Sequence, residues 1–404
     1  MSYIARHLLE KCTQCGACSV IVACPGAEED ICIGCGACAL ACPNQAIEMI
    51  EEKREGKIEI EVDGRSAVVS ERISVKEALR EIDYRFSDLP GEADMFAPCE
   101  VGGCGSCCVE ADGEMRPSCT TAAGVGMKIK TKLSADCIPG RVVMDFKGHP
   151  TGGVGTPWYL RKDPDDIIEI VCYTAGCNFR CPQCQNWYFA FAGKGEPLTP
   201  KEAAAEMSKV RASYPGVERM TISGGEATLN RPWLILFLKE LKELCPDRNA
   251  RFHIDTNGSL LTGDYIDELV DAGMTDIGID LKALNTDTFM RITGLKDGSL
   301  ACKYKEIAWA AVKYLRQRYS KKVFVGIGIP YNRDLISLNE IRSMGERIYD
   351  IDPAIQTSIN DYQPSFRSRI PRTTSEDMKI VYDIMKDTKL KTIICQSPGG
   401  FIGP

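Results

Sequence analysis

Three closely spaced cysteines have the clearest chemical potential in this 404-residue chain. Cys177, Cys181 and Cys184 have the spacing C-x3-C-x2-C and follow directly on the apolar, strand-like run IIEIVCYT. Three thiolates hold only three corners of a 4Fe-4S cube, so one iron stays open to another ligand, as open positions do in other catalytic metal sites. The spacing therefore predicts a catalytic cluster at the end of a strand.

Polar motifs also close three later strand-like runs. GGE stands at 224–226 after RMTIS, DTNG at 255–258 after FHI, and DLK at 280–282 after DIGI. In this order, and behind the cysteine motif, they resemble the radical S-adenosylmethionine (SAM) superfamily. The wording is most similar to the pyruvate formate-lyase activating enzymes and the AmmeMemoRadiSam group. The resemblance runs from about residue 167 to 400.

This resemblance implies a reaction and a set of residues for it. In the superfamily SAM chelates the open iron, and an electron from the cluster cleaves it to methionine and a 5′-deoxyadenosyl radical, which removes a hydrogen atom from a substrate. Cys177, Cys181 and Cys184 would be the catalytic ligands. The residues implied for contact with SAM are Gly224, Gly225, Glu226, Thr256, Asn257, Asp280 and Lys282. Glu226 would meet the amino group, Asn257 the ribose and Lys282 the carboxylate.

Several neighbouring features have a structural alternative. Asp255 and Asp280 could instead cap a helix or end a strand. The run GIGIP at 326–330 resembles the strand whose backbone packs on adenine, and it suits a core strand equally well. The segment 360–372 contains polar residues that could contact a substrate or belong to a solvated loop. They are Asp361, Tyr362, Arg367, Arg369 and Arg372.

The first fifty residues contain an internal repeat, CTQCGACSVIVACP and CIGCGACALACP. It resembles the bacterial two-cluster ferredoxins, in which each run gives three thiolates to one 4Fe-4S cluster and its last cysteine to the other. The implied ligand sets are Cys12, Cys15, Cys18 and Cys42 for one cluster, and Cys32, Cys35, Cys38 and Cys24 for the second. The first run departs from the pattern, with five residues rather than three before Cys24-Pro25. A structural zinc site is the alternative, and the repeat and its Cys-Pro endings disfavour it.

A third group of cysteines follows the C-x4-C-x2-C spacing of plant-type 2Fe-2S ferredoxins. Its ligands would be Cys99, Cys104, Cys107 and, downstream, Cys119. Cys108 is the competing candidate, with a poorer spacing. The segment 56–69 alternates apolar and polar residues about an Asp-Gly turn, and a helix capped by Ser74 should follow it. These elements predict the β-grasp fold of 2Fe-2S modules.

Composition limits the compartment and the partners. A net charge of −7 with three histidines disfavours nucleic acid, and no stretch of eighteen apolar residues predicts a membrane span. The N-terminus lacks the pattern of a signal peptide, so we expect a cytoplasmic protein. Twenty-one cysteines without such a signal indicate metal ligation and an anaerobic, reducing setting. The six cysteines outside the three groups should mostly be buried apolar residues.

The remaining pattern indicates the elements that position these motifs. From Ile167 short apolar runs alternate with helical stretches, which predicts an α/β domain, a partial or full (β/α) barrel with its chemistry at the carboxyl ends of the strands. The predicted organisation is a two-cluster ferredoxin-like α+β domain at 1–52, a β-grasp 2Fe-2S domain at 53–132, a linker or collar at 133–166 and the catalytic barrel at 167–404.

The combination predicts a radical SAM oxidoreductase with its own electron supply. Three 4Fe-4S clusters, one 2Fe-2S cluster and SAM are the expected cofactors, and a soluble low-potential donor is the expected electron source. The favoured hypothesis is an enzyme that activates or modifies a partner protein. One alternative is a radical enzyme acting on a small metabolite or cofactor precursor. Another is an electron carrier with a vestigial barrel.

Overall fold

The computed structural model describes residues 2–24, 32–134, 136–161 and 166–404. The chain divides into two compact units. The N-terminal unit comprises Met1–Met144, Thr174–Asn178 and Asn186–Thr199, and the C-terminal unit comprises Asp145–Tyr173, Phe179–Gln185 and Pro200–Pro404. The chain thus passes between the units more than once around the cysteine motif, which differs from the predicted boundaries. Pro25, which belongs to the first Cys-Pro ending, lies outside the described residues.

The internal repeat forms a small two-stranded module in the N-terminal unit. Strand β1 (Ser2–His7) pairs antiparallel with β2 (Ile47–Glu52). Two short helices lie between them in sequence, α1 (Ala17–Val20) and α2 (Ala37–Ala41). Each helix begins after a glycine with a positive φ, 73° at Gly16 and 76° at Gly36, a conformation that costs glycine little. The repeated GAC wording therefore produces the same local turn twice.

The next module is a five-stranded mixed sheet with one helix. Its strands are β3 (Lys57–Val62), β4 (Arg65–Ser70), β7 (Cys108–Ala111), β8 (Glu114–Pro117) and β9 (Lys128–Lys130), in the spatial order β4-β3-β9-β7-β8. Helix α3 (Val75–Glu81) follows β4, and β5 (Phe86–Ser87) pairs with β6 (Met95–Phe96). As predicted, β3 and β4 form a hairpin, and the Ser74 side chain caps α3 by accepting from the Glu77 amide. Leu79 and Val109 lie in the core between helix and sheet.

The C-terminal unit is built on a mostly parallel sheet. Of the remaining elements, α4 (Trp187–Ala190) and β12 (Pro197–Leu198) belong to the N-terminal unit. The others are β10 (Arg141–His149), β11 (Glu169–Thr174), α5 (Pro200–Ala212), β13 (Arg219–Gly224), α6 (Arg231–Leu244), β14 (Arg251–Thr256), α7 (Gly263–Ala272), β15 (Asp276–Asp280), α8 (Thr286–Thr293), α9 (Gly298–Tyr319), β16 (Phe324–Tyr331), α10 (Leu338–Ile351), β17 (Gln356–Asp361), α11 (Ser375–Asp387), β18 (Ile393–Ser397) and β19 (Gly400–Ile402). Strands β13 to β18 are parallel neighbours in chain order, and β19 pairs antiparallel with β18. The sheet is open, so the described residues form a partial barrel rather than a closed one.

Helix-forming signals are local and strong in this unit. Asn230 caps α6 by accepting from the Trp233 amide, and the buried face of that helix is apolar, formed by Trp233, Leu234, Phe237, Leu238 and Leu241. Thr374 and Asp377 form a capping box at the start of α11. Such caps set where each helix begins, and therefore which residues remain in the loops after the strands.

The segment 151–158, which we name the strap, lies against the interior face of the parallel strands. The Gln356 side chain donates to Val154 O (3.4 Å) and Thr156 O (2.9 Å), and its oxygen accepts from the Trp158 amide (2.9 Å). At Gly326 a Cβ would overlap Val154 O. The segment predicted as linker or collar is therefore part of the core of this unit. The strap covers the side of β16 on which Gly326 and Gly328 lack a side chain. The glycines of GIGIP therefore fit the interpretation of this run as a core strand.

Candidate functional site

The cysteine motif occupies a loop whose backbone is held at several points. In the N-terminal unit, the Gly176 amide donates to Phe189 O (3.2 Å), and Cys177 is buried. In the C-terminal unit, the Arg180 amide donates to Thr293 O (2.8 Å), and the Cys184 amide donates to Cys181 O (3.2 Å). The loop starts three residues after the end of β11, where the sequence placed it.

Lys282 lies beside this loop, close to Cys181 and Cys184. Its ammonium pairs with Asp280 at 2.7 Å, and its side chain is only 16% exposed. Burial lowers the pKa of Lys282, but the charges of Asp280, Cys181 and Cys184 outweigh burial and raise it above its ordinary value. Conversely, burial raises the pKa of the Cys181 thiol, and Lys282 opposes that effect. The lysine thus supplies a positive charge next to two candidate thiolate ligands.

Glu226 is fully buried and joins the ends of two strands. One carboxylate oxygen accepts from the Thr228 amide (2.9 Å) and from the Thr228 and Thr256 hydroxyls (both 2.6 Å). The other accepts from the Asn257 amide (2.7 Å). Gly224, which ends β13, has a φ of 113°, and Gly225 forms the bend before Glu226. The carboxylate therefore sets the geometry of both the GGE and the TNG segments.

Asn257 is itself positioned by local bonds. Its side-chain oxygen accepts from the Ser259 amide at 3.0 Å, and the Gly258 amide donates to the Thr256 hydroxyl at 3.0 Å. Thr256 and Asn257 are both buried. The implied contacts of these residues with SAM stay predictions, and the structure supplies a rigid frame for them.

Asp255 is the penultimate residue of β14, so it lies at the end of a strand, one of the two structural alternatives considered for it. It does not cap a helix. Its carboxylate lies on the interior face of the parallel strands, 3.0 Å from His253 Nε2. Glu169 is wholly buried on the same face and accepts from the Thr156 and Thr221 hydroxyls at 2.8 and 2.9 Å. Burial would lower the pKa of His253, but Asp255 and Glu169 raise it to about 9.

Sequence reasoning missed this buried polar group. Its signal in the sequence is a polar residue at every second position of two strands, between apolar neighbours. These residues are Thr221 in β13 and His253 and Asp255 in β14. His149 joins it by a 2.8 Å contact with Glu169. The group ties the strands to the segment that contains the strap.

The segment 360–372 lies on the cysteine loop. The Arg367 amide donates to Pro182 O at 2.8 Å. Burial, with the charges of Cys181 and Cys184, raises the pKa of Tyr362 above its usual range. The buried Asp361 carboxylate pairs with Arg372 at 2.7 Å. Of the two sequence hypotheses for this segment, the position beside the cysteines favours substrate contact over a solvated loop.

The ferredoxin-like repeat brings its cysteines together in the exchanged pattern. Burial raises the pKa of Cys18, and the charges of Cys42, Cys15 and Cys12 raise it further. Burial likewise raises the pKa of Cys38 to about 12, with contributions from Cys35, Cys24 and Cys32. In both cases the final cysteine of one run lies near the first three of the other.

The third cysteine group forms one buried set. Hydrogen bonds from Cys104 and Cys119 lower the pKa of Cys99, and a hydrogen bond from Cys119 lowers that of Cys107. Each of these four side chains belongs to a residue at most 3% exposed. Cys108 instead begins strand β7. Four converging buried thiols suit a 2Fe-2S centre, and they include Cys107 rather than its neighbour.

Two features are absent from the described residues. No three His, Cys, Asp or Glu side chains among them are arranged to hold a single metal ion. No helix in the described ranges is long and apolar enough to cross a membrane. The iron–sulfur ligand sets remain predictions that rest on spacing and on the proximity of the thiols.

Three family models match the chain. Residues 171–344 match the radical SAM superfamily, residues 27–48 a 4Fe-4S binding domain and residues 55–133 a 2Fe-2S iron–sulfur cluster binding domain. These matches confirm the predicted radical SAM, 4Fe-4S and 2Fe-2S ferredoxin-type domains.

Curated relatives correct the finer resemblance. GTP 3′,8-cyclase of Rhizobium meliloti (strain 1021) is 33% identical over 30% of this chain and 34% of its own length. Molybdenum cofactor biosynthesis protein moc-5 of Caenorhabditis elegans is 26% identical over 45% of this chain and 29% of its own. The chain therefore spans only about a third of the length of these relatives. By their names one is a GTP cyclase and the other a molybdenum cofactor biosynthesis protein, and neither is a pyruvate formate-lyase activating enzyme, so the expected placement in the activating-enzyme group is wrong.

A solved structure with a similar fold is a radical SAM methyltransferase from Sphaerobacter thermophilus. It has a TM-score of 0.44 at 14% identity, and the match covers 57% of this chain and 66% of that one.

Proposed function

We propose that this chain, which has a radical SAM domain together with 4Fe-4S and 2Fe-2S ferredoxin-type domains, is a radical enzyme that acts on a small anionic metabolite or cofactor precursor. The curated relatives support a small molecule, because their names give GTP as the compound that they cyclise. This replaces the partner-protein activase as the favoured hypothesis. The same relatives favour a ring-forming or ring-rearranging reaction over an activating oxidation.

The residues fit the cofactors that the family requires. Cys177, Cys181 and Cys184 would hold the catalytic cluster, which with bound SAM supplies a 5′-deoxyadenosyl radical. Glu226 keeps the two strand-end segments in place, and Lys282 offsets negative charge beside the thiolates. Each of these tasks uses a contact made by the chain itself.

The observation that carries the substrate class is the charge of the segment beside the cysteine loop. From Asp361 to Arg372 the sequence has one carboxylate and three guanidinium groups, at Arg367, Arg369 and Arg372. Asp361 neutralises one of them through its pairing with Arg372. Guanidinium groups bind phosphate and carboxylate oxygens in a bidentate geometry. A phosphate-bearing metabolite is therefore the best match.

The N-terminal domains would supply electrons. We include in the proposal two 4Fe-4S clusters on the exchanged cysteine sets, one 2Fe-2S cluster on Cys99, Cys104, Cys107 and Cys119, and a soluble low-potential donor. Cluster potentials near −400 mV and below, as in ferredoxins of these types, suit reductive cleavage of SAM.

Isotope transfer tests the proposal. The anaerobically reconstituted chain is reduced with titanium(III) citrate and incubated with SAM and either perdeuterated GTP or a perdeuterated glycine-containing peptide. Deuterium in 5′-deoxyadenosine from GTP supports a phosphate-bearing small molecule, whereas deuterium from the peptide contradicts it. Absence of SAM cleavage after full reduction would instead favour the electron carrier.

A matched pair of variants tests the charged segment. Arg369→Gln should weaken turnover of the labelled nucleotide, because it removes one guanidinium group of this segment. Arg342→Gln, on the surface of α10 beside Asp387, is the control and should have little effect. Equal turnover by the two variants would remove the charge argument.

A further inference from the structure

The residue before the catalytic cysteines lies against the ligand loop of the predicted 2Fe-2S centre. Both belong to the N-terminal unit. A Cβ placed on Gly176 would stand 3.0 Å from the Cβ atoms of both Cys99 and Cys104, and 3.2 Å from the Cys104 amide nitrogen. Most real Cβ contacts are longer than this, so a side chain at position 176 would fit only if the ligand loop moved away by a few tenths of an ångström. Gly176 directly precedes Cys177.

Backbone hydrogen bonds fix this approach on one side. The Val142 amide donates to Gly103 O, and the Ala175 amide donates to Val142 O, both at 2.9 Å. The Arg141 guanidinium donates to Ala175 O at 3.2 Å and is almost completely buried. The cysteine motif and the Cys99–Cys107 loop are therefore joined through one intervening strand, β10.

The segment after the motif holds the other side. Phe189 O accepts from the Gly176 amide, and a Cβ on Gly193 would overlap Val101 O. The amides of Gly193 and Lys194 both donate to Ile21 O, at 2.8 and 2.9 Å. The ferredoxin-like repeat contacts this segment through Ile21, a residue that is not a predicted ligand. By contrast, the loop of the predicted 2Fe-2S centre contacts Gly176, next to Cys177, through two of its predicted ligands, Cys99 and Cys104.

We propose that Gly176 is a positioning residue that holds the Cys99 and Cys104 ligands against the Cys177 segment, which makes the 2Fe-2S centre the immediate electron donor to the catalytic cluster. The inference rests on the proposed function and adds the order of the relay to it. With both clusters bound, one electron would pass from the reduced 2Fe-2S centre to the 4Fe-4S cluster, with no bond or proton moved. A reduced flavodoxin-type protein would restore the electron to the chain.

The chain offers a close control for a Gly176 variant. Gly176 has a φ of 84°, and Gly113, in the same unit, has a φ of 85° with no atom within 4 Å of a Cβ placed on it. Gly176→Ala and Gly113→Ala therefore carry similar backbone strain, and only the first also collides with the ligand loop.

The experiment follows the electron rather than product alone. Each reconstituted variant is reduced with flavodoxin, mixed with SAM and frozen at intervals, and the 2Fe-2S and 4Fe-4S signals are resolved by electron paramagnetic resonance. In the Gly113→Ala variant the 2Fe-2S signal should decay as SAM is cleaved. In the Gly176→Ala variant with full iron content it should persist, and decay at the control rate would overturn the proposal.

A second variant tests the same order of electron transfer if Gly176→Ala does not take up its full iron content. Cys119→Ser removes a ligand of the 2Fe-2S centre, and flavodoxin should then fail to reduce the catalytic cluster, as seen from its own resonance. Reduction at the Gly113→Ala rate would show a direct route from the ferredoxin-like repeat and overturn the order. If the Gly113→Ala control does not cleave SAM even with titanium(III) citrate, the proposed function fails instead.

Discussion

Replacing Glu226 by glutamine tests the hydrogen-bonded frame on which we propose that SAM binding depends. The carboxylate accepts from Thr228 and Thr256 through one oxygen and from the Asn257 amide through the other, and it is fully buried. A glutamine amide has one oxygen and one NH₂ group. In either orientation it presents a donor to at least one backbone N–H, of Thr228 or of Asn257, which cannot turn away.

The cost follows from the unpaired donor. A buried donor left without an acceptor costs about 1–3 kcal/mol. If that free energy appears wholly in ligand binding, the affinity for SAM falls by about 5- to 150-fold. The Thr256 hydroxyl can rotate to accept from the new NH₂ group, which then faces the Thr228 amide, so the Thr228 N–H should be the donor left unpaired while the bond from the Asn257 amide is kept.

Equilibrium dialysis of SAM against the anaerobically reconstituted chain measures this loss, with iron content determined on the same samples. Glu268→Gln is the control, since Glu268 pairs with Arg231 at the surface and its side chain is 53% exposed. Its effect should be small, as for other exposed ion pairs. If both variants bind SAM equally well and unfold at the same temperature, Glu226 does not hold the two segments together.

Further variants test the other assignments. Cys107→Ser should lose about two iron atoms and the 2Fe-2S resonance, while Cys108→Ser should keep both; the reverse outcome would exchange the two assignments. Gly326→Ala, which collides with the strap, should lower Tm by ~2–12 °C, whereas Gly298→Ala at the open first turn of α9 should leave Tm unchanged or raise it; equal values would contradict the packing of the strap. His253, with its pKa raised from 6.5 to about 9, should contribute about 3 kcal/mol of stability below pH 6.5 that is lost as pH rises through 9. His253→Gln should therefore have a flatter profile of Tm between pH 6.5 and 10, and an unchanged profile would refute this contribution.

Much of the molecule was predictable because its determinants lie close together in the chain. The cysteine spacings, the Asp63-Gly64 hairpin turn and the Ser74 cap each depend on a few adjacent residues. The alternation of apolar runs and helical stretches predicted parallel strands with their polar motifs at the carboxyl ends. The exchanged pattern of the ferredoxin-like repeat was also available, because the family resemblance specifies it.

Several features of the site depended on contacts between distant residues. Val154 and Gln356 are hydrogen-bonded but lie 202 residues apart in the sequence. The hydrophobic periodicity of either segment therefore could not show that the strap packs on the interior face of the parallel strands. That interior face is polar, and hydrophobic patterning gives no partner for His253 or Asp255. Glu226 was assigned to SAM from its motif, whereas its distances to Thr256 and Asn257 reveal a framework role as well.

The sequence by itself thus determined which thiols are available, how they are grouped and which strand ends lie beside them. Only the tertiary structure decided that the segment 360–372 lies on the cysteine loop, and that Gly176 brings the Cys99 and Cys104 loop to the edge of the catalytic motif. The physical reason is that ligand number follows from local spacing, whereas the approach of two loops depends on close packing between parts of the chain more than seventy residues apart.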